Sequence, residues 1–255
     1  MPYQTIETAL SPRGVATITL NRPDRGNAIN QTMLDELVSH LGALAADAKV
    51  RVVVLRAYGK HFCAGADVSG RGDSVKSEKS ATLGDLIFDL DRLPKPTIAL
   101  VQGGAVGGGA GVACACDVTL VEKDGFISIP EVRLGFAPGG LVSVLMRSMG
   151  ARNFRRYAMS GERIRAEPAL RMGLASGIFE ADTLDKMLDE LIDAFLLGAP
   201  GALAEVKRST ALLETPSLAP LKERAAAPHG FTSDEAKEGV AAFREKRKPG
   251  WYMGR

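Results

Sequence analysis

The stretch VQGGAVGGGAG, residues 101–111, is the strongest indication of the fold class of this 255-residue chain. An apolar run at 96–101 leads into it, and an Ala-, Val- and Cys-rich run at 110–116 follows it. This pattern predicts a buried strand, a turn and a tightly packed helix. The glycines at 107–109 let the backbone approach a ligand and leave N–H groups free at the positive end of the helix dipole. The sequence therefore predicts a site for negative charge here, with close helix–sheet packing as the alternative explanation.

Strand and helix patterns alternate around this stretch. Residues 15–20 read as a strand that ends at the turn 21–23, and Asn30 is placed to cap the helix that follows. Further patterns predict buried strands at 51–55, 96–101 and 117–121 and a helix at 82–93. This order favours a mostly parallel sheet with helical crossovers, so the fold class is α/β.

Helical patterns dominate after Gly140, so we expect an α/β core over residues 1–199 and a helical section over 200–255. The segment 69–80 is rich in Gly, Ser, Lys and Asp, and we expect a mobile surface loop beside the active site there. The predicted carboxy-terminal helices span 141–149, 151–160, 166–172, 183–197, 202–213, 218–227 and 233–246.

Composition excludes several classes of protein. The formal net charge of +2 provides no general field for nucleic acid or a membrane surface, and no apolar run approaches the ~20 residues of a membrane span. Three cysteines and no visible secretory signal lead us to expect a cytoplasmic protein. Cys114 and Cys116 lack nearby histidines, so we expect no metal site. The dinucleotide fingerprint fails because Val112 and Cys114 replace its last glycine, and the G-x-S-x-G motif of hydrolases is absent.

An ordered set of motifs then resembles the crotonase (enoyl-CoA hydratase/isomerase) family. Each motif is weak alone, but the set spans essentially the whole chain in the order typical of that family. The motifs are Asn-Arg-Pro at 21–23, Cys-Ala-Gly-Ala-Asp at 63–67, the glycines at 107–109, Pro-Glu at 130–131 with Leu-Gly at 134–135, Pro-Gly-Gly at 138–140, and Phe-Arg-Glu-Lys-Arg-Lys at 243–248.

The resemblance implies a spiral of ββα units, a carboxy-terminal helical section that covers the site, and a homotrimer or hexamer. It implies an acyl-CoA substrate, with coenzyme A as part of that substrate and no separate cofactor. By motif position, the backbone N–H groups of Ala66 and Gly108 hold the thioester oxygen, and they stabilise an enolate more than a carbonyl. The same resemblance places Ala64, Asp67, Val68, Gly107 and Gly111 along the substrate.

Glu131 matches the family's second catalytic glutamate and is the predicted acid/base. Its apolar surroundings should raise its pKa towards that of a proton shuttle, whereas an ion pair with nearby Arg133 or another basic residue is the structural alternative. The family's first glutamate is replaced by Gly111. A hydratase that adds water to a 2-enoyl-CoA, a Δ3,Δ2-enoyl-CoA isomerase with Glu131 as its single shuttle, and a catalytically lapsed CoA-binding protein therefore all remain open, with hydration favoured.

Phosphates of coenzyme A require local cations. The resemblance brings Phe243 and Lys246 from a neighbouring subunit to the adenine end, and Lys246 also suits a helix carboxy terminus. Arg25 is a second phosphate candidate, with a solvated surface arginine as the alternative. His61 lies beside the predicted loop of Ala66 and is a candidate pocket residue.

Overall fold

The computed structural model of the protein describes residues 2–69, 80–213 and 233–250. Most of the surface loop predicted at 69–80 and the helix predicted at 218–227 therefore lie outside the described residues. The described strands are β1 Ile6–Leu10, β2 Val15–Leu20, β3 Val52–Ala57, β4 Thr97–Val101, β5 Gly104–Val106, β6 Val118–Glu122, β7 Phe126–Ser128, β8 Arg163–Arg165 and β9 Gly177–Phe179. The described α-helices are α1 Gln31–Ala46, α2 Leu83–Arg92, α3 Gly108–Ala115, α4 Val142–Ser160, α5 Ala166–Arg171, α6 Leu184–Leu197, α7 Pro200–Leu213 and α8 Asp234–Arg244.

Two sheets organise these elements. The larger has the order β1-β2-β3-β4-β6-β9, and all its neighbouring strands are parallel except β1 and β2. The smaller has the order β5-β7-β8, in which β5 and β7 are parallel and β8 is antiparallel to β7. The predicted α/β class with a mostly parallel main sheet is confirmed, and the chain winds through it as a spiral of strands and helices.

The apolar run in β3 is continuous because both faces of the main sheet are covered. Val53 and Leu55 face the larger core, which contains the buried sides of helices α1 to α4. Val52 and Val54 face a second core that includes Ile192 of α6. A strand buried on both faces shows no alternation of polar and apolar residues, which is why a compact Val-rich run predicted it.

Helix starts follow local chemistry. The Asn30 side chain accepts a hydrogen bond from the N–H of Met33 at 3.0 Å and so caps α1 as predicted. Thr82 and Asp85 form a reciprocal capping box at the start of α2. The two helices predicted at 141–149 and 151–160 both lie within α4, where a kink separates them at Gly150 with φ 73° and ψ 156°, outside the helical region.

Five strands escaped the sequence prediction: β1, β5, β7, β8 and β9. Four of them are only three residues long, so they carry too little pattern to be recognised. None of the described helices is both long enough and apolar enough to span a bilayer.

Candidate active site

The glycine stretch forms the junction between β5 and α3. Gly107 precedes the helix with φ 52°, and its N–H donates to the Ser128 carbonyl at 2.8 Å, which ties the junction to β7. Gly108 is the first residue of α3, so its N–H has no intrahelical acceptor. Within the described part of the chain this N–H donates to no other group. It therefore remains available to an anion at the helix amino terminus.

The loop that follows Phe62 presents the second backbone donor. The N–H of Ile29 donates to the Gly65 carbonyl at 2.7 Å, and the N–H of Asp67 donates to the Ile29 carbonyl at 2.8 Å. These two hydrogen bonds involve the residues on either side of Ala66 and do not use the Ala66 N–H. Across residues 2–69, 80–213 and 233–250, no hydrogen bond from the Ala66 N–H is found. Both predicted donors are thus free of internal acceptors in the described structure.

The two donor segments lie directly against each other. Cys63 pairs with Ala105 in parallel register. The Cys63 N–H donates to the Gly104 carbonyl at 3.1 Å, and the Cys63 carbonyl accepts from the Val106 N–H at 2.9 Å. A methyl group on Gly109 would lie 2.6 Å from the Cys63 Cβ, closer than real Cβ atoms approach. The third glycine of the run is therefore required by this contact, which supports the packing explanation at that position.

Glu131 lies in a short 3₁₀ turn, Glu131–Leu134, that follows Pro130. Its side chain is buried, with 6% of the residue exposed, and its Oε2 has no hydrogen-bond partner among the described residues. A methyl group on Gly107 would lie 2.7 Å from its Oε1, so the carboxyl stands beside the residue preceding the Gly108 donor. Burial raises the pKa of Glu131 to about 7, although a bond to its own backbone opposes the shift.

The predicted alternative, an ion pair between Glu131 and Arg133, is wrong. The Arg133 guanidinium turns to the Ser160 carbonyl, with Nη2 at 2.9 Å. No cation in the described ranges forms a salt bridge with Glu131. A buried carboxyl without a countercharge destabilises the fold when it ionises, and such groups occur often at functional sites.

The wall at Gly111 contrasts with the wall that carries Glu131. A methyl group on Gly111 would lie 2.4 Å from the Leu141 Cδ2 and 2.9 Å from the Ile87 Cδ1. The space that a side chain at position 111 would take is therefore filled by two hydrophobic side chains. Leu83 lies in the same way over Gly108, at 3.0 Å from such a methyl group. This side of the site is apolar.

Asp67 and Val68 have protein partners. The Asp67 carboxylate accepts from Arg22 Nη2 at 2.9 Å and from the Ser69 N–H at 3.1 Å. Burial alone would raise the pKa of Asp67, but the bonds from Ser69 and Arg22 outweigh it and hold the pKa below its usual value. The Val68 carbonyl accepts from Arg244. The structure thus engages both groups with arginines from distant parts of the chain.

A basic cleft of about 400 Å³ opens beside Ala64 and Val106. Arg163 and Arg165 were not predicted from sequence, although their i, i+2 spacing on β8 puts both on the exposed face of that strand. Burial, with Lys60 and Arg163, lowers the pKa of His61. The side chains that give the cleft its charge are Lys60, Arg163 and Arg165, with Asp124 as the acidic member, and His61 also lines the cleft.

The remaining predicted residues lie on the surface. The Arg25 side chain is 60% exposed, with its Nε 3.6 Å from an Asp24 carboxylate oxygen. Phe243 is 63% exposed near the end of α8, and Lys246 is exposed just beyond that helix with a left-handed φ of 54°. Phe243 is thus a large apolar side chain in solvent in the single chain.

The family model described as enoyl-CoA hydratase/isomerase matches residues 11–254. Among curated proteins, the chain is 34% identical to the 2,3-dehydroadipyl-CoA hydratase of Escherichia coli, over 92% of this chain and 94% of that protein. It is 31% identical to the trans-2-decenoyl-[acyl-carrier-protein] isomerase of Streptococcus mutans, with the same shares covered. These matches identify the class: the chain belongs to the enoyl-CoA hydratase/isomerase family and is an enzyme of that family.

Solved structures agree with this assignment. An enoyl-CoA hydratase from Mycobacterium avium subsp. paratuberculosis superposes with a TM-score of 0.87 at 27% identity, covering 98% of this chain and 100% of that one. An enoyl-CoA hydratase/isomerase from Pseudoalteromonas atlantica gives a TM-score of 0.89 at 26% identity, with the same coverage. The predicted crotonase-like fold is confirmed.

Proposed function

We propose that this enzyme adds water across the double bond of a 2-enoyl-CoA, with Glu131 as its single acid/base. The observation that carries the proposal is the buried Glu131 carboxyl, whose Oε2 lacks a partner among the described residues and whose Oε1 stands beside Gly107. A pKa of about 7 allows the group both to accept and to return a proton near neutral pH.

The N–H groups of Ala66 and Gly108 bind the thioester oxygen in this mechanism. As the β-carbon is attacked, the electrons of the double bond move towards the thioester and its oxygen becomes an enolate oxygen. Backbone donors already oriented in a packed site stabilise that charge without further reorganisation, and losing one such donor typically costs ~3 kcal/mol of transition-state stabilisation. The free N–H groups found on adjacent segments support this assignment.

Glu131 transfers a single proton in two steps. Ionised Glu131 removes a proton from water as the water oxygen bonds to Cβ, and the protonated carboxyl then donates that proton to Cα of the enolate. One H and one OH are added, and the carboxylate is regenerated. Because one carboxyl directs both the water oxygen to Cβ and the proton to Cα, the OH and the H are added to the same face of the double bond.

The surroundings of the site support an acyl-CoA substrate. The basic cleft beside Ala64 and Val106 suits the phosphates of coenzyme A, because guanidinium groups pair well with phosphate oxygens. The hydrophobic wall of Leu83, Ile87 and Leu141 suits an apolar acyl chain. A trimeric or hexameric assembly that brings Phe243 and Lys246 to a neighbouring site, and a cytoplasmic location, stay predictions.

A second candidate, Δ3,Δ2-enoyl-CoA isomerisation, is favoured by the wall at Gly111. Leu141 and Ile87 fill that space, so the wall offers no polar group there to orient a water molecule. In this reaction Glu131 removes a proton from Cα of a 3-enoyl-CoA, and the double bond moves through the enolate. The same carboxyl returns the proton at Cγ, so no water is needed.

Two assays separate the candidates. A hydratase removes the conjugated thioester absorbance of a 2-enoyl-CoA, and an isomerase creates that absorbance from a 3-enoyl-CoA. Glu131→Gln removes the titrating group with little change in shape, and we expect kcat to fall about a thousandfold. The matched control is Glu167→Gln, an exposed glutamate on α5 whose replacement should leave kcat unchanged.

Three outcomes are decisive for this proposal. Turnover of the 2-enoyl-CoA that is lost in Glu131→Gln supports hydration. Turnover of the 3-enoyl-CoA alone, with the same loss, replaces hydration by isomerisation. Equal activity of the wild type and Glu131→Gln on every enoyl-CoA contradicts a catalytic role for this carboxyl in either reaction.

A further inference from the structure

Two arginines from opposite ends of the chain bond to the loop 64–68 that presents the Ala66 N–H. Arg22 Nη2 lies 2.9 Å from the Asp67 Oδ2, one residue beyond Ala66. Arg244 donates to the Val68 carbonyl, two residues beyond Ala66. The loop is neither helix nor extended strand, so its path depends on such contacts more than on a regular backbone ladder.

The contact with Arg22 is sheltered and itself anchored. The side chains of Arg22 and Asp67 are only 17% and 14% exposed, so solvent screens their attraction little. Arg22 also donates to the Ala28 carbonyl, and its N–H donates to the Oδ1 of the fully buried Asn27 at 2.8 Å. The guanidinium therefore holds the Asp67 carboxylate from a fixed position.

The contact with Arg244 is anchored through helix α8. A methyl group on Gly239 would lie 2.4 Å from the Leu134 carbonyl carbon and oxygen, so α8 packs directly on the backbone there. Leu134 ends the same 3₁₀ turn that begins at Glu131. One helix thus touches the turn that carries the acid/base and, through Arg244, the loop that carries the Ala66 donor.

We propose that Arg22 and Arg244 are positioning residues that set the direction of the Ala66 N–H towards the enolate oxygen. This inference rests on the proposed function, because it assigns the two arginines a role in the same oxyanion site. Neither guanidinium touches the reacting atoms; each acts through the backbone of the loop. Errors of about 1 Å in such a donor are large enough to reduce the rate by up to about a hundredfold.

The test compares Arg22→Gln, Arg244→Gln and the double variant. We expect kcat to fall about tenfold in each single variant and about a hundredfold in the double variant, with KM nearly unchanged, because the donor acts mainly in the transition state. Arg22→Lys and Arg244→Lys keep the charge but lose the planar fork, and should recover part of kcat. Lys237→Gln, on an exposed position of α8, is the control with wild-type kcat.

Hydrogen exchange supplies a readout that does not depend on activity. The Asp67 N–H is bonded to the Ile29 carbonyl beside the donor, and its exchange should accelerate in both Gln variants. Wild-type kcat in the double variant, or unchanged exchange at Asp67, overturns the inference. A raised KM with unchanged kcat also overturns it, because the arginines would then bind substrate.

Failure of the proposed function can be distinguished from failure of the positioning inference. A wild-type protein that turns over no enoyl-CoA contradicts hydration and isomerisation, while the exchange rate of Asp67 still shows whether the arginines hold the loop. Conversely, if the wild type is active and the Asp67 exchange rate is the same in both arginine variants as in the wild type, the proposed function stands and only the positioning role of the arginines is contradicted.

Discussion

The two backbone donors of the site are held in different ways. Gly108 starts a helix whose first residues are entirely buried, and close backbone contacts fix it, such as that of Gly109 with Cys63. Ala66 lies in a partly exposed loop that is held by hydrogen bonds to Ile29 and by side chains from distant segments. On the glycine side, which holds Gly108, a single added atom should therefore cause an abrupt loss of stability or activity. On the loop side, which holds Ala66, activity should fall in steps as contacts are removed.

The strongest challenge to the glycine side is Gly111→Glu, which restores the residue type that the family resemblance predicts there. Leu141 and Ile87 occupy the space, so the change combines overpacking with a buried charge. We expect the free energy of unfolding to fall by about 4 kcal/mol, measured by denaturant titration at neutral pH. Adding Leu141→Ala should recover part of that loss, and a double variant no more stable than Gly111→Glu alone would contradict the steric explanation.

The buried carboxyl makes stability depend on pH. An unfolded glutamate titrates near 4.5, whereas Glu131 in the fold titrates at about 7, so the folded state favours the protonated form. Both states are protonated below pH 4.5; as pH rises from there to about 7, ionisation of the unfolded state lowers wild-type stability. Relative to Glu131→Gln, the wild type should lose about 3 kcal/mol across this window and no more above it.

Denaturant unfolding of the wild type and Glu131→Gln between pH 4 and pH 8.5 measures this difference. A constant difference in unfolding free energy across that range would mean that the carboxyl ionises in the fold as it does in solvent. Such a result would remove the electrostatic basis for a proton shuttle at Glu131.

Gly109→Ala probes the contact between the two donor segments. The added methyl would lie 2.6 Å from the Cys63 Cβ and 2.8 Å from its carbonyl oxygen, so the segments must move apart. We expect unfolding free energy to fall by about 2 kcal/mol and kcat/KM to fall about a hundredfold. Gly42→Ala is the control, because nothing lies within 4 Å of its Cβ on α1, and it should stabilise the helix by about 0.5–1 kcal/mol.

The smallest effect is expected at Arg25, on the loop side of the site. If this exposed guanidinium meets a phosphate of the substrate, Arg25→Ala should raise KM for the acyl-CoA roughly threefold and leave kcat unchanged, since exposed ion pairs are weak. Lys186→Ala, on the exposed side of α6, controls for the loss of one positive charge. Equal KM values for the two variants would assign Arg25 to the solvated surface.

Elements with a strong local pattern were predictable, and those without one were not. The bounds of β2 and the cap of α1 could be predicted from the local sequence, as with Asn30, which precedes apolar residues at a 3.6-residue period. The strand β8 was missed because three residues, two of them exposed arginines, show no apolar run. The cleft to which Arg163 and Arg165 contribute was missed with it.

The candidate site divides along the same line. The family resemblance of the motifs at 63–67, 107–109 and 130–131 proposed Ala66, Gly108 and Glu131 as site residues, and the glycines at a helix start and the carboxyl in an apolar stretch are chemically consistent with that proposal. The alternative ion pair between Arg133 and Glu131 rested on closeness in sequence and is wrong, since packing of α4 brings the Ser160 carbonyl to Arg133 instead. The partners of Asp67 and Val68 could not be predicted at all.

Short-range patterns in the amino-acid sequence were enough to predict the α/β class, and the ordered motifs were enough to predict the family; the same resemblance supplied the three residues of the proposed chemistry, which stay predictions. Three-dimensional packing was needed to show that Leu141 and Ile87 fill the space beside Gly111, and that Arg22 and Arg244 meet one loop. The physical reason is distance along the chain. Contacts between residues separated by 24 to 176 positions depend on how the sheets and helices pack, which no local periodicity encodes.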